Sequence, residues 1–162
     1  NASIISYIRD QFKVLVGDRT AEDAKIKLAS ITDKEEAREL VVRGRDVVTG
    51  LPREVVITDV DIREAISQSV DTLVENVRAV LEKTPPEVLS DIMQRGIHLS
   101  GGGALIPGLA ALLEEIIRVP VIVVPDPLRA VVRGTGIVLE NLDNYEAILI
   151  DQSGELPTNF SE

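Results

Sequence analysis

The segment HLSGGGALIPGL, His98 to Leu109, constrains the fold more than any other stretch of the chain. An apolar strand runs into three consecutive glycines and then into a helix opening at Pro107. Three missing Cβ atoms at a strand-to-helix crossover let backbone lie flat against a ligand, with the positive end of a helix close behind. A tight turn needing positive φ would be met by one glycine. Three in a row fit close backbone approach, which is the layout of a nucleotide site.

The remainder of the chain supplies the matching architecture. Ile4, Ile5, Ile8, Phe12 and Leu15 form a helical stripe over Ser3 to Leu15, broken at Gly17 and Asp18. Thr20 is placed as the cap of a second helix, with Asp23 three residues on and Ala24, Leu28 and Ile31 on its buried side. From Arg38 the period changes. RELVVRGRDVV, a turn at Thr49–Gly50 and LPREVVITDV read as a β-hairpin with Pro52 at the turn or strand start. Asp59 or Asp61 opens a long helix with a stripe at Val70, Leu73, Val74, Val77 and Leu81. Pro85 or Pro86 starts a short helix through Met93. The strand Ile97–Ser100, the glycine turn and a helix with Ile106, Leu109, Leu112, Leu113 and Ile116 on one face follow. VPVIVV reads as a strand covered on both faces. Asp126 and Pro127 are expected to cap and begin a last helix to about Leu142, in which Gly134 and Gly136 allow close packing. The tail after Asp143 is polar and expected to fray.

Composition narrows the function classes. Hydrophobic residues make up 44% of 162, yet the aromatics are only Tyr7, Phe12, Tyr145 and Phe160, so the core is aliphatic. A net charge of −10 opposes broad binding to nucleic acid or anionic lipid, while a few local donors still permit a buried nucleotide site. With no cysteine there is no disulfide framework and no thiolate chemistry. The lone histidine, His98, sits in a strand, where packing is the first reading and a place facing the cleft the second. No apolar run approaches the ~20 residues of a membrane span, and no signal peptide is evident. The chain begins as if within a helix and reads as a piece of a longer protein.

Four segments in one order carry a resemblance: ISYIRDQFKVLVGDRTAEDAKIKL, VRGRDVVTGLPREVVI, HLSGGGALIPGL and VPVIVVPDPLRAVVRGTGIVLENL. They cover roughly residues 1 to 142 and resemble the C-terminal half of the MreB family, the bacterial homologues of actin. The resemblance implies a partial α/β fold of the actin-like ATPase (ribonuclease H-like) type, one lobe with a small α+β subdomain inserted. Residues 1–16 and 69–150 would be subdomain IIA, 17–68 subdomain IIB, and 151–162 a tail.

By the same resemblance, Gly101, Gly102 and Gly103, with the adjoining Ala104, line an adenosine pocket. Glu22 and Lys25 match the helix that closes over base and ribose. At i, i+3 they share a helix face and offer an acceptor and a donor together, although a plain surface ion pair has the same spacing. Asp23 replaces the basic residue often found between them.

The full-length protein would use ATP or ADP with Mg²⁺. The phosphate hairpins and magnesium ligands of the family lie outside this sequence, and neither GxxxxGK[ST] nor GxGxxG is present. Weak or absent ATP binding and no hydrolysis are therefore expected of this chain alone, and no catalytic residue is assigned.

The implied role is a filament-forming cytoskeletal subunit that sets rod shape, at the cytoplasmic face of the membrane. Its implied partners are other protomers, the N-terminal half, a RodZ-type membrane protein and the wall-elongation machinery, with no nucleic acid. Two alternatives remain. One is the nucleotide-binding half of a heat-shock-type chaperone ATPase, which shares the GGxxxIP pattern but usually carries a basic residue where Leu105 stands. The other is a free-standing dinucleotide-binding α/β domain, which would need its glycine turn in a first βαβ unit.

Overall fold

A computed structural model describes residues 1–32 and 37–145. The element order is α1 (Ala2–Phe12), β1 (Val14–Leu15), α2 (Asp18–Leu28), β2 (Glu39–Asp46), β3 (Pro52–Thr58), α3 (Asp59–Glu82), α4 (Pro86–Arg95), β4 (Ile97–Leu99), a 3₁₀ turn (Gly102–Leu105), α5 (Leu109–Ile117), β5 (Val121–Val123), α6 (Ala130–Glu140) and α7 (Leu142–Tyr145). Of the tail expected to fray after Asp143, Asn144 and Tyr145 lie in α7, and the remainder lies outside the described residues.

The chain folds around two aliphatic cores. The first gathers Ile4, Ile8, Val14, Ala24, Leu28, Ile57 and Ile62 from α1, β1, α2, the hairpin and the start of α3. The second gathers Val74, Leu109, Leu113 and Val121 from mid-α3, α5 and β5. Ile31, Val70 and Ile106 pack against both cores and join them. The long helix α3 therefore serves as a common spine, which its 24 residues allow. Tyr7 fastens α1 to that spine, its hydroxyl donating to Glu64 Oε2 at 2.8 Å and Asp61 Oδ1 at 3.3 Å. Burial, with the Glu64 carboxylate beside it, pushes this phenol's pKa up.

The hairpin forms as its alternation predicts, with Leu40↔Ile57 and Val42↔Val55 turned inward and Pro52 at the first position of β3. Asp46 organises the turn, accepting from the backbone N–H groups of Val48 at 2.9 Å and Thr49 at 2.8 Å. The start of α3 settles on Thr58 as cap: its Oγ1 accepts from the Asp61 N–H while Asp61 Oδ2 accepts from the Thr58 N–H, a reciprocal box.

Several expectations are corrected. The first helix stops at Phe12, because Lys13 turns left-handed at φ 59° and releases Val14 and Leu15 into a strand antiparallel to β2. A Cβ at Gly44 would collide with the Leu15 backbone and the Val14 side chain, so β1 seats only on a glycine. Helix α2 begins at Asp18 behind an extended Gly17, and Thr20 makes no cap. Helix α5 begins at Leu109 rather than at Pro107, the intervening residues forming the 3₁₀ turn and a left-handed Gly108.

The last helix begins at Ala130, not at Asp126–Pro127. Asp126 stands in the left-handed region at φ 50°, and the Gly101 N–H takes Pro127 O at 2.8 Å, which holds this loop in a turn ahead of the helix. Strand β5 pairs in parallel with β4, but only Val121 is buried, while Ile122 and Val123 stand exposed. Coverage on both faces is therefore not achieved within the described residues. Gly134 and Gly136 likewise meet nothing within 4 Å of an added Cβ, so they mediate no close packing here.

Candidate functional site

The glycine turn becomes a ledge through one unusual residue. Gly101 adopts φ 82° and ψ 173°, a region that only glycine enters without strain. Its N–H donates to Pro127 O at 2.8 Å, which ties the ledge to the loop bearing Leu128. The chain then closes into the 3₁₀ turn, with the Ala104 N–H bonding Gly101 O at 3.2 Å and the Ile106 N–H bonding Gly103 O at 3.1 Å. Above Gly103 there is open space, and over Gly102 only Leu128 Cδ2 comes near.

Facing the ledge is α2. Between the two lies a hollow of about 430 Å³, lined by Glu22, Lys25, Ile26 and Ala29 on one side and Gly102, Gly103, Leu105, Ile106, Pro107 and Leu128 on the other. Cavities of this size hold small organic ligands such as a nucleoside. The residues singled out in the sequence thus converge in part. Glu22, Lys25, Gly102 and Gly103 meet across one cleft. Gly101 and Ala104 are not among its lining residues: the first sets the turn and the second is buried. His98 is exposed on β4, outside both cores and away from the cleft, so the packing role expected first for it is not observed.

Within the cleft, Lys25 Nζ donates to Glu22 Oε2 at 2.7 Å, both side chains remaining partly exposed. This bond is the main reason the Glu22 carboxyl lies below its usual range. The pair presents unused acceptor and donor capacity to the hollow. Ile26, Leu105 and Leu128 add three exposed aliphatic side chains, and such surfaces suit the flat face of a base. These three were not anticipated. Ile26 carried a usable signal, since it stands at i+4 from Glu22 on the wet side of α2. Leu128 carried none, because its position depends on the Asp126 turn.

Two aliphatic cores joined along one long helix, with an open cleft beside a glycine ledge, place the fold in the actin-like class. MreB5 of Spiroplasma citri, in a crystal structure bound to ADP, superposes with a TM-score of 0.82 at 35% identity, over 90% of this chain and 44% of that one. The MamK double helical filament shares the fold at a TM-score of 0.68, with 22% identity over 86% of this chain and 42% of that one.

The profile of the MreB/Mbl protein family matches residues 1–147, and the chain belongs to that family of actin-like, cell shape-determining cytoskeletal proteins. It is 45% identical over 140 residues to the cell shape-determining protein Mbl of Bacillus subtilis, covering 86% of this chain and 42% of that protein. It is 40% identical over 150 residues to the cell shape-determining protein MreB of Escherichia coli, covering 93% and 43% respectively. The chain therefore spans less than half the length of these relatives.

Proposed function

We propose that this chain forms the adenosine-facing side of an ATP cleft in a filament-forming, shape-determining protein of the rod-cell cytoskeleton. The observation that carries the reading is the meeting of Glu22 and Lys25 with the Gly102–Gly103 ledge across one hollow. The Glu22–Lys25 pair faces ribose hydroxyls and the polar edge of adenine, and Ile26 and Leu128 flank the ring. The ADP of the similar Spiroplasma structure supports this assignment.

Mg²⁺ and the phosphates would be held by residues outside this sequence, so the chain does not hydrolyse ATP by itself. Assembly with further protomers is supported by the filament of the MamK neighbour, and a RodZ-type partner and the wall-elongation machinery belong to the same reading. The place of work proposed is the cytoplasmic face of the membrane. Among the described residues, no helix is long and apolar enough to cross a membrane.

The test is NMR chemical-shift mapping of the chain with adenosine and with ADP. Shifts confined to Glu22, Lys25, Ile26, Gly102, Gly103 and Leu128 are expected, with affinity near the ~1 mM level because the phosphates go unheld. Shifts centred elsewhere, or none at saturating adenosine, would overturn the assignment.

A further inference from the structure

The cleft's two walls come from different parts of the fold, and one short segment joins them. Helix α2 ends at Leu28, where Arg38 donates to Lys27 O at 2.6 Å and Leu28 O at 2.8 Å, closing off its free carbonyls. Ala29 and Ser30 are buried, and the Ser30 hydroxyl donates to Thr32 O at 2.9 Å. Arg63 of α3 donates to Ser30 O and Thr32 O, both at 3.3 Å. The Ile31 N–H then donates to Pro107 O at 2.8 Å. Pro107 borders the cleft just past the 3₁₀ turn that carries the ledge.

The contact at the next residue is closer still. Gly108 stands at φ 86°, and a Cβ there would lie 2.8 Å from Thr32 Cγ2 and 3.1 Å from Ile31 Cβ. So near an approach is ordinary only without a side chain. Two independent demands, left-handed backbone and absent Cβ, fall on one residue outside the cleft.

We propose that Gly108, through its contact with Ile31–Thr32, is a positioning residue that sets the gap between α2 and the glycine ledge, and with it the affinity of the cleft for adenosine. The inference rests on the nucleotide reading only for its last step. A Cβ at Gly108 pushes the Ile31–Thr32 segment away, the Ile31–Pro107 hydrogen bond breaks, and Glu22 and Lys25 move off from Gly102–Gly103 together, because they ride on the same helix.

The absence of cysteine makes the test direct. Spin labels at Lys27→Cys on α2 and Glu115→Cys on α5, both exposed positions, report the gap by electron paramagnetic resonance. One narrow distance is expected in the parent chain, and a longer, broader distribution in Gly108→Ala, with amide exchange at Ile31 about tenfold faster. Thr32→Ser added to Gly108→Ala removes the methyl in the way, and should return the distance part of the way. A general loss of stability would not be rescued so.

If Gly108→Ala fails to fold, Arg63→Gln decides, with broadening supporting the latch and an unchanged distribution overturning it. Adenosine affinity, read by chemical shifts, should fall about tenfold alongside the widening. A widened gap in a chain that never binds adenosine would uphold the latch and sink the nucleotide reading. Normal binding with unchanged distance and affinity in the folded variants would do the reverse.

Discussion

At the scale of single residues, polar side chains here act mostly through short-range geometry. Lys25 is the donor that holds Glu22 in place and remains open to the hollow. Lys25→Ala should lower adenosine affinity about tenfold, the worth of one hydrogen bond to a charged group, with little change in melting temperature. Titration by chemical shift checks the affinity, and thermal denaturation followed by circular dichroism checks the melting temperature. Gly103→Leu, placed where open space now stands, should abolish binding while leaving the fold intact by circular dichroism.

Asp46 offers a pH test. The backbone N–H of Thr49, then Arg53 and the N–H of Val48, hold its pKa down to about 2 from 3.8. A carboxylate depressed in the folded state stabilises fully above the unfolded value, and that contribution is lost as pH falls through the folded one. Denaturation at a series of pH values should therefore show the parent chain's advantage over Asp46→Asn shrinking between about pH 4 and pH 2.

At the scale of elements, ends matter more than middles. The spine α3 begins where Thr58 and Asp61 satisfy each other's N–H groups. Thr58→Ala should cost about 1 kcal/mol and lower the melting temperature by about 2–4 °C in a chain this long; calorimetry checks it. The periodic stripe of α3 and the alternation of the hairpin were plain in the sequence, since each repeats a side-chain pattern many times. The two-residue strand β1 was not. Leu15 continues the α1 stripe, and only the left turn at Lys13 and the glycine opposite divert Val14 and Leu15 into a strand. The N-terminus of α6 was misplaced for a similar reason. Asp followed by Pro is a good cap and first turn in isolation, but the Gly101 N–H takes Pro127 O and holds that loop in a turn.

At the scale of the whole molecule, the two cores are coupled through very few side chains. Leu113, 2% exposed in the second core, should cost about 2–5 kcal/mol on truncation to alanine. Because Ile31, Val70 and Ile106 bridge the cores, chemical denaturation of Leu113→Ala should show both cores melting in one transition rather than two. Two separate transitions would mean that the bridge carries no coupling. Ile122 and Val123 of β5 and Val131, Val132, Ile137 and Leu139 of α6 also stand exposed. The VPVIVV strand read as doubly covered because its composition is that of a central strand. The composition holds, whereas the coverage is absent from the described residues.

The sequence by itself determined the family, the long helix α3, the hairpin and the glycine turn, because each is written in local patterns that neighbouring residues enforce. It also indicated Glu22 and Lys25, through their spacing on one helix face and the resemblance of the surrounding motif. Only the tertiary structure decided which of the four turn residues reach the cleft, and that Ile26 and Leu128 flank it. Those placements follow from the approach of Ile31–Thr32 to Gly108 and from the Gly101–Pro127 hydrogen bond. Each joins residues far apart in the chain, and no periodicity or propensity within either partner encodes the distance between them.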